Sequence, residues 1–324
     1  MARDTPEQPA KPSTPRRIRR RTVMHLAVLG LLAASGWGGW QLRAALLGTR
    51  RLAPPAWELP LPRPVLGAHR GGAGLFPENT LEAFQGAYTQ YGARFMELDV
   101  RGSADGVPIV LHDATLQRTT NGHGPAHALP LRELATLDAS ANFRDVHGQP
   151  WAAPPARIPT LRAVLAALPD CVFSVDIKQA DLPGGKSIIP AVVADIRETG
   201  MAGRVLLGSA RHGAFLRIQA LAPEIPSFFS FRSAAFFHFA ALTGLARWYR
   251  PAHNALLLPT RGLGMDLATP TTLAAAHALG LPMLLWTVND PAQMRHYLRL
   301  GVDGLITDRP DLLRGIMQED GVLN

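Results

Sequence analysis

The chain has 324 residues, 47% of them hydrophobic and 18% charged, a composition that supports one or two packed domains and excludes a disordered chain. Its single cysteine, Cys171, excludes an internal disulfide and, at the head of the apolar run Val172-Phe173, reads as a buried thiol. The formal charge of +8 does not mark a nucleic-acid binder: ten of the 33 basic residues and only two of the 25 acidic ones lie at or before Arg51, which leaves the rest of the chain with 23 of each sign.

In chain order, residues 1–21 are a basic tail, Pro-rich as far as Pro15 and then dominated by Arg16–Arg21. Thr22 to Leu42 carries no charge if His25 is neutral, and a helix of about twenty apolar residues crosses a bilayer core. Trp37 and Trp40 fall near one end of that segment, where indole rings prefer the interface. The expectation is a transmembrane signal anchor over residues 22–42. The arginine cluster is then cytoplasmic, and everything after Arg43 lies outside, in the periplasm or at the cell surface. A cleaved signal with a site near Ala33-Ala34-Ser35 and a buried core helix are the alternatives. Residues 43–64, with five prolines between Leu52 and Pro64, read as a stiff linker. The folded domain is expected over residues 65–318.

From Val65 onward short apolar strands alternate with helical stretches. Eight candidate strands can be marked: Val65–Ala68, Arg94–Val100, Val172–Ile177, Arg204–Gly208, Ser227–Phe231, Ala255–Leu258, Pro282–Val288 and Gly304–Thr307. Helices are expected over Thr80–Tyr91, Leu161–Ala167, Thr271–Leu279 and Pro291–Leu300. Eight such units in roughly 250 residues predict an α/β fold, the TIM (β/α)8 barrel, with a small insertion over about 115–160 after the second strand. A doubly wound open sheet is the alternative, and no glycine fingerprint supports it.

The strand Arg94–Val100 is the most telling. Side chains alternate across a strand, so Met96, Leu98 and Val100 share one face while Glu97 and Asp99 share the other. In a barrel the two carboxylates point inward near the C-terminal end, where like charges need a cation or a proton between them. The third strand repeats the pattern with Ser174, Asp176 and Lys178 on one face. Three carboxylates at strand ends suit one hard divalent cation, Ca²⁺ or Mg²⁺, and a salt-bridge network through Lys178 and Arg70 is the competing explanation. His69-Arg70, followed by Gly71-Gly72, ends the first strand, and the two glycines allow close approach of backbone to a ligand. His112-Asp113 follows the run Ile109–Leu111. A histidine at a strand end facing carboxylates is placed for proton transfer near neutral pH.

Taken in order, His69-Arg70-Gly71-Gly72, Pro77-Glu78-Asn79-Thr80, Glu97-Leu98-Asp99-Val100, Asp105-Gly106, Val110-Leu111-His112-Asp113, Arg118-Thr119-Thr120-Asn121-Gly122, Ile158-Pro159-Thr160-Leu161, Asp176-Ile177-Lys178, Trp286-Thr287-Val288-Asn289 and Gly304-Leu305-Ile306-Thr307-Asp308 resemble the glycerophosphodiester phosphodiesterase family. The resemblance runs from about Val65 to about Leu313. It implies metal-dependent hydrolysis of a glycerophosphodiester to an alcohol and glycerol 3-phosphate. It makes Glu97, Asp99 and Asp176 the metal ligands and His69 and His112 the acid–base pair. The mechanism expected from this has Arg70 and Lys178 stabilising charge on the phosphoryl oxygens of the substrate, and Trp286 either walling the glycerol or simply packing in the barrel. Many members carry Glu where this chain has Asp176, which is shorter by one methylene. The Asp-Ile-Lys and His-Arg-Gly-Gly forms are similar to those of lysophospholipase D-like members, so a lysophospholipid at the membrane is the alternative substrate. From another class, a catalytically inactive membrane-bound binding module is the remaining alternative.

Half of the chain's 12 phenylalanines fall within Phe228–Phe239. Phe228, Phe229 and Phe231 are expected in the fifth strand. Phe236, Phe237 and Phe239 are expected after it, either lying in a membrane interface flanked by Arg232, Arg247 and Arg250 or buried on the barrel.

Overall fold

The computed structural model describes residues 57–262 and 264–323. The basic tail, the apolar segment 22–42 and most of the Pro-rich linker lie outside the described residues. Among the described residues no helix is long and apolar enough to cross a membrane.

The chain lays down β1 (Val65–His69), β2 (Phe95–Gly102), β3 (Pro108–Val110), β4 (Val172–Ile177), β5 (Val205–Gly208), β6 (Leu256–Pro259), β7 (Arg261–Gly262), β8 (Met265–Asp266), β9 (Met283–Trp286) and β10 (Gly304–Thr307). Seven of them form one curled parallel sheet in the order β5-β4-β2-β1-β10-β9-β6, a TIM-barrel-like fold; β3 pairs antiparallel with β2, and β7 and β8 make a separate hairpin. Helices return between strands, and several start on a side-chain cap. Thr80, Thr160, Thr269 and Asp290 each accept a backbone N–H from three residues on, opening the helices Leu81–Tyr91, Leu161–Ala167, Pro270–His277 and Pro291–Leu300.

The fifth of the eight expected strands, Ser227–Phe231, is not a strand. Pro226 O accepts from Leu207 N on β5, Phe229 N donates to Ala255 O at the start of β6, and Phe228 forms a single parallel bridge with Ala255. These residues span the two sheet edges by isolated bonds. The reason is Ser230, whose hydroxyl accepts from Ser233 N and starts the helix Phe231–Leu242 one residue before the strand was expected to end.

Alternation decides which side chains enter the sheet's concave side. At the N-terminal ends of the strands Val65, Phe95, Val172, Leu206, Leu284 and Ile306 form one apolar cluster. Trp57, Leu59 and Leu61, assigned from sequence to the linker, pack against it, and Arg63 pairs with Asp303 at 2.9 Å. The folded unit therefore starts before Val65. The outward residues Met96, Leu98 and Val100 are fully buried. Between β3 and β4 a second cluster, Ile109, Leu111, Leu116, Ala126, Leu134, Ala139 and Ile158, gives the inserted segment its own small core.

Candidate active site

Strand register assembles the polar layer above the apolar one. His69 pairs with Glu97, Glu97 with Ser174 and Asp99 with Asp176, so a histidine and three carboxylates from β1, β2 and β4 stand at the C-terminal ends of adjacent strands. Asp99 is 1% exposed, and at that depth each charge needs a partner.

Lys178 supplies the central one: Nζ stands 2.7 Å from Asp176 Oδ2 and 3.0 Å from Asp99 Oδ1. Arg70 Nε lies 3.3 Å from Asp99 Oδ2, and Arg70 Nη1 donates to Glu78 at 3.0 Å. Asn79 donates from Nδ2 to Asp99 Oδ2 at 2.9 Å and accepts from Asp99 N. Arg70 and Asn79 reach these contacts with φ of 52° and 60°, left-handed backbone that non-glycine residues adopt at a cost of about 1 kcal/mol or more. Gly71, at φ 82°, is required for a different reason than ligand approach: a Cβ there would stand 2.7 Å from Ala83 Cβ, so the close approach is to the helix Leu81–Tyr91.

The two histidines share a motif. His69 Nδ1 is 2.7 Å from Asp308 Oδ1, and His112 Nδ1 is 2.7 Å from Asp113 Oδ1. In each pair the second carboxylate oxygen is held by a donor, Asn289 Nδ2 on Asp308 at 2.7 Å and Arg118 Nε on Asp113 at 2.6 Å. Asn289 also accepts from Thr307 Oγ1 and Asp308 N. A carboxylate on Nδ1 fixes ring and tautomer and leaves Nε2 for chemistry. His69 Nε2 faces Glu97 Oε2 at 3.8 Å. His112 is brought beside Asp99 by the bond from Leu111 N to Asp99 O, and Arg101 Nε donates to the His112 carbonyl at 2.7 Å.

Burial and neighbours set the charges. Burial first, and then the adjacent Asp99, raise Glu97 to about 7. Burial raises Asp176 against the pull of Lys178. Asp99 is also desolvated, yet Lys178 and Arg70 outweigh burial and hold it below the usual carboxylate range. For His69, burial opposes the charged form, but the Asp308 hydrogen bond and the Glu97 charge prevail and raise it. The Arg118 hydrogen bond holds Asp113 down at about 2.

The structure thus gathers His69, Arg70, Glu97, Asp99, Asp176 and Lys178 into one contact network and sets His112 at its edge. Trp286 is 40% exposed at the rim and makes no hydrogen bond or ion pair with them among the described residues. Sequence reasoning gave no role to Glu78, Asn79, Asp113, Arg118, Asn289 or Asp308. All six lie inside the quoted motifs, and that was the available signal.

Among the described residues no three His, Cys, Asp or Glu side chains converge closely enough to hold a metal ion, so Glu97, Asp99 and Asp176 share a mouth without forming a finished cage. Their chemistry fits a hard cation all the same. Asp176 Oδ1 is a buried oxygen without a hydrogen-bond partner, and Asp99 Oδ1, on the neighbouring register-matched strand, has only the Lys178 ammonium at 3.0 Å.

A TIM-barrel-like sheet with two carboxylate-held histidines and basic side chains at its C-terminal mouth is suited to hydrolysing a negatively charged ester. Residues 69–312 match the family model described as the glycerophosphoryl diester phosphodiesterase family, and the chain belongs to that family of phosphoric diester hydrolases. It is 31% identical over 260 residues to a glycerophosphodiester phosphodiesterase of Caldanaerobacter subterraneus subsp. tengcongensis, covering 78% of this chain and 98% of the relative. It is 31% identical over 261 residues to that of Bacillus altitudinis, covering 78% and 97%. A solved glycerophosphodiester phosphodiesterase from Agrobacterium tumefaciens superposes with a TM-score of 0.60 at 30% identity, over 77% of this chain and 98% of that one. An Oleispira antarctica phosphodiesterase solved with the product sn-glycerol-3-phosphate gives 0.60 at 25% identity, over 79% and 97%. The activity is that of a glycerophosphodiester phosphodiesterase.

Proposed function

We propose that this chain hydrolyses glycerophosphodiesters to an alcohol and glycerol 3-phosphate with one divalent cation, Ca²⁺ or Mg²⁺, using His69 and His112 as its acid–base pair. The observation that carries this reading is the doubled Asp–His arrangement, one pair from β1 and the end of β10 and one following β3, beside the buried carboxylates of β2 and β4. Glu97, Asp99 and Asp176 would hold the cation, whose chemistry is to neutralise phosphate charge and acidify a hydroxyl. One histidine takes the proton of the attacking hydroxyl, from water or the neighbouring glycerol hydroxyl, and the other protonates the leaving oxygen. Arg70 and Lys178 face the phosphoryl oxygens, and Trp286 walls the glycerol. The product held by the Oleispira antarctica relative supports glycerol 3-phosphate as the product here.

A second substrate class, lysophospholipids, is favoured by the exposed apolar side chains Phe231, Met265 and Trp286. It accords with a single-pass anchor over residues 22–42 and a catalytic domain outside the cytoplasm. The test is the purified chain with Ca²⁺ or Mg²⁺, offered glycerophosphocholine and lysophosphatidylcholine side by side. Glycerol 3-phosphate should appear from the first only while the cation is present. Turnover undiminished by chelator sinks the metal reading.

A further inference from the structure

The helix Phe231–Leu242 has apolar residues on both of its faces. Phe237, fully buried, and Ala234 and Ala241 turn inward, with the Phe237 ring 5.3 Å from that of Tyr249. Phe237 is therefore core, so of the three phenylalanines expected either in an interface or buried on the barrel, this one takes the buried alternative. The outward positions Phe231, Ala235, Phe239 and Leu242 recur at spacings of four, four and three, a single stripe along the helix. Phe231 is 54% exposed and Leu242 53%, and past the helix end the stripe continues through Leu245 to Trp248, 59% exposed. A run of large apolar side chains held in water by an ordered helix is an interaction surface in most proteins.

Its charge selects the partner. From Ile225 to Met265 the sequence holds four arginines and no aspartate or glutamate. Arg261 pairs with Asp266 just beyond that stretch, at 3.1 Å, but among the described residues no carboxylate pairs with Arg232, Arg247 or Arg250. The Arg247 guanidinium lies 3.9 Å over the Trp248 ring. Aromatic and aliphatic side chains bordered by arginine, with acids absent, complement the headgroup region of an anionic bilayer, where the apolar groups enter the acyl boundary and the arginines meet phosphate. A protein partner of matching chemistry would need to be both apolar and acidic over this area, whereas a membrane supplies the combination everywhere. The chain also brings its own uncharged segment at 22–42, followed by only 14 residues before the first described one, Trp57. Fully extended, those 14 residues span at most about 50 Å.

We infer that the outer face of the helix Phe231–Leu242, extended by Leu245 and Trp248, docks on an anionic lipid surface. The mouth has an apolar arc on the same side. Phe231 opens the helix that follows the bridging residues Phe228 and Phe229. Met265 sits in the hairpin after β6, and Trp286 ends β9, the neighbour of β6 in the sheet. Docking by this face sets that arc, rather than the charged arc of β1, β2 and β4, next to the bilayer.

The experiment uses the full chain reconstituted into phosphatidylcholine vesicles with or without phosphatidylserine. A polarity-sensitive fluorophore is placed through Phe239→Cys, Leu242→Cys or Trp248→Cys, one at a time, with Val146→Cys as an exposed control in the inserted segment. Cys171 does not compete for the label, since its buried thiol is pushed up to about 12. The three stripe labels should shift to the blue and be quenched by brominated lipid, more strongly with phosphatidylserine, while Val146→Cys reports water throughout. Replacing Arg232, Arg247 and Arg250 together by glutamine should remove the phosphatidylserine increment. A tether alone buries no chosen side of the barrel, so stripe labels that match the Val146→Cys control overturn the inference. A blue shift already present in detergent without vesicles, and not quenched by brominated lipid, overturns it too and assigns the stripe to the chain's own apolar segment.

Discussion

The two halves of the active-site mouth hold the same chemical unit in different surroundings. On the strand-borne half, His69 stands beside the buried Glu97, Asp99 and Asp176, all four placed by sheet register, while Lys178 and the 25%-exposed Asp308 follow directly on the ends of β4 and β10. On the loop-borne half, the His112 and Asp113 side chains are 32% and 27% exposed and are held from one side by Arg118. Burial makes the first half an electrostatic unit in which removing any member leaves another uncompensated. Exposure makes the second half a set of local contacts that water can replace. Function should therefore depend on both halves alike, and stability on the first far more than the second.

The largest effect tests their equality in catalysis. His69→Ala and His112→Ala should each lower kcat on glycerophosphocholine by roughly 10²- to 10⁴-fold, the usual worth of a positioned acid or base. Their melting temperatures should diverge, with His69→Ala falling because Asp308 and Glu97 lose a buried partner. A His112→Ala enzyme that keeps its rate would remove His112 from the chemistry and leave the strand-borne half alone in charge.

Lys178 comes next. Lys178→Met leaves Asp99 and Asp176 facing each other without the ammonium now 3.0 and 2.7 Å away, and should destabilise the chain by about 3–5 kcal/mol. If those carboxylates are cation ligands, Ca²⁺ or Mg²⁺ should restore a large part of that loss in thermal unfolding, more than it raises the wild type. Unfolding curves unchanged by either cation would detach the carboxylates from metal binding.

A smaller effect follows from Glu97. Its folded pKa of about 7, above the usual carboxyl value of about 4.5, means that the folded state holds the proton more tightly than the unfolded one. The contribution to stability is then fully present below pH 4.5 and is lost as pH rises through 7. Glu97→Gln, permanently neutral, should flatten this stretch of the melting-temperature profile and overtake the wild type towards pH 8 in cation-free buffer. Parallel profiles for the two proteins would show that Glu97 does not titrate there.

Much of the strand-borne half could be read in the sequence, because alternation alone puts Glu97 and Asp99 on one face and Met96 and Leu98 on the other. What could not be read was partnership across distance. Asp308 lies 239 residues from His69, and only the pairing of β1 with β10 and β2 makes them neighbours. The linking roles of Glu78 and Asn79 were hidden for another reason: they depend on left-handed backbone at Arg70 and at Asn79, which no periodicity announces. The segment after Pro226 misled because Ser227–Phe231 has the composition of a strand, while one hydroxyl, that of Ser230, turns it into a helix start. Residues 57–63 misled in the opposite sense, since proline-rich composition suggests a free linker and conceals Trp57, Leu59 and Leu61 on the core.

The smallest effect isolates the loop-borne half. Arg118 spans Glu78 and Asp113, with Nη1 and Nη2 at 2.7 and 2.8 Å from the first and Nε at 2.6 Å from the second. Its side chain is 47% exposed, so each pair is worth less than about 1 kcal/mol and Arg118→Ala should move the melting temperature little. Glu78 retains Arg70, and Asp113 stays ionised at neutral pH even without the clamp that now holds it at about 2. What Arg118→Ala takes away is the orientation of Asp113, and through it that of the His112 ring. The expected loss is about tenfold in kcat, as for other removed orienting partners, with KM nearly constant. Arg118→Lys keeps the charge but cannot reach both carboxylates with a planar fork, so it should recover only part of the rate. A fall in kcat that tracks a fall in melting temperature across both variants would make Arg118 a structural strut. Unchanged kcat in both would show that Asp113 holds His112 unaided, and the two halves would then differ in catalysis as well as in stability.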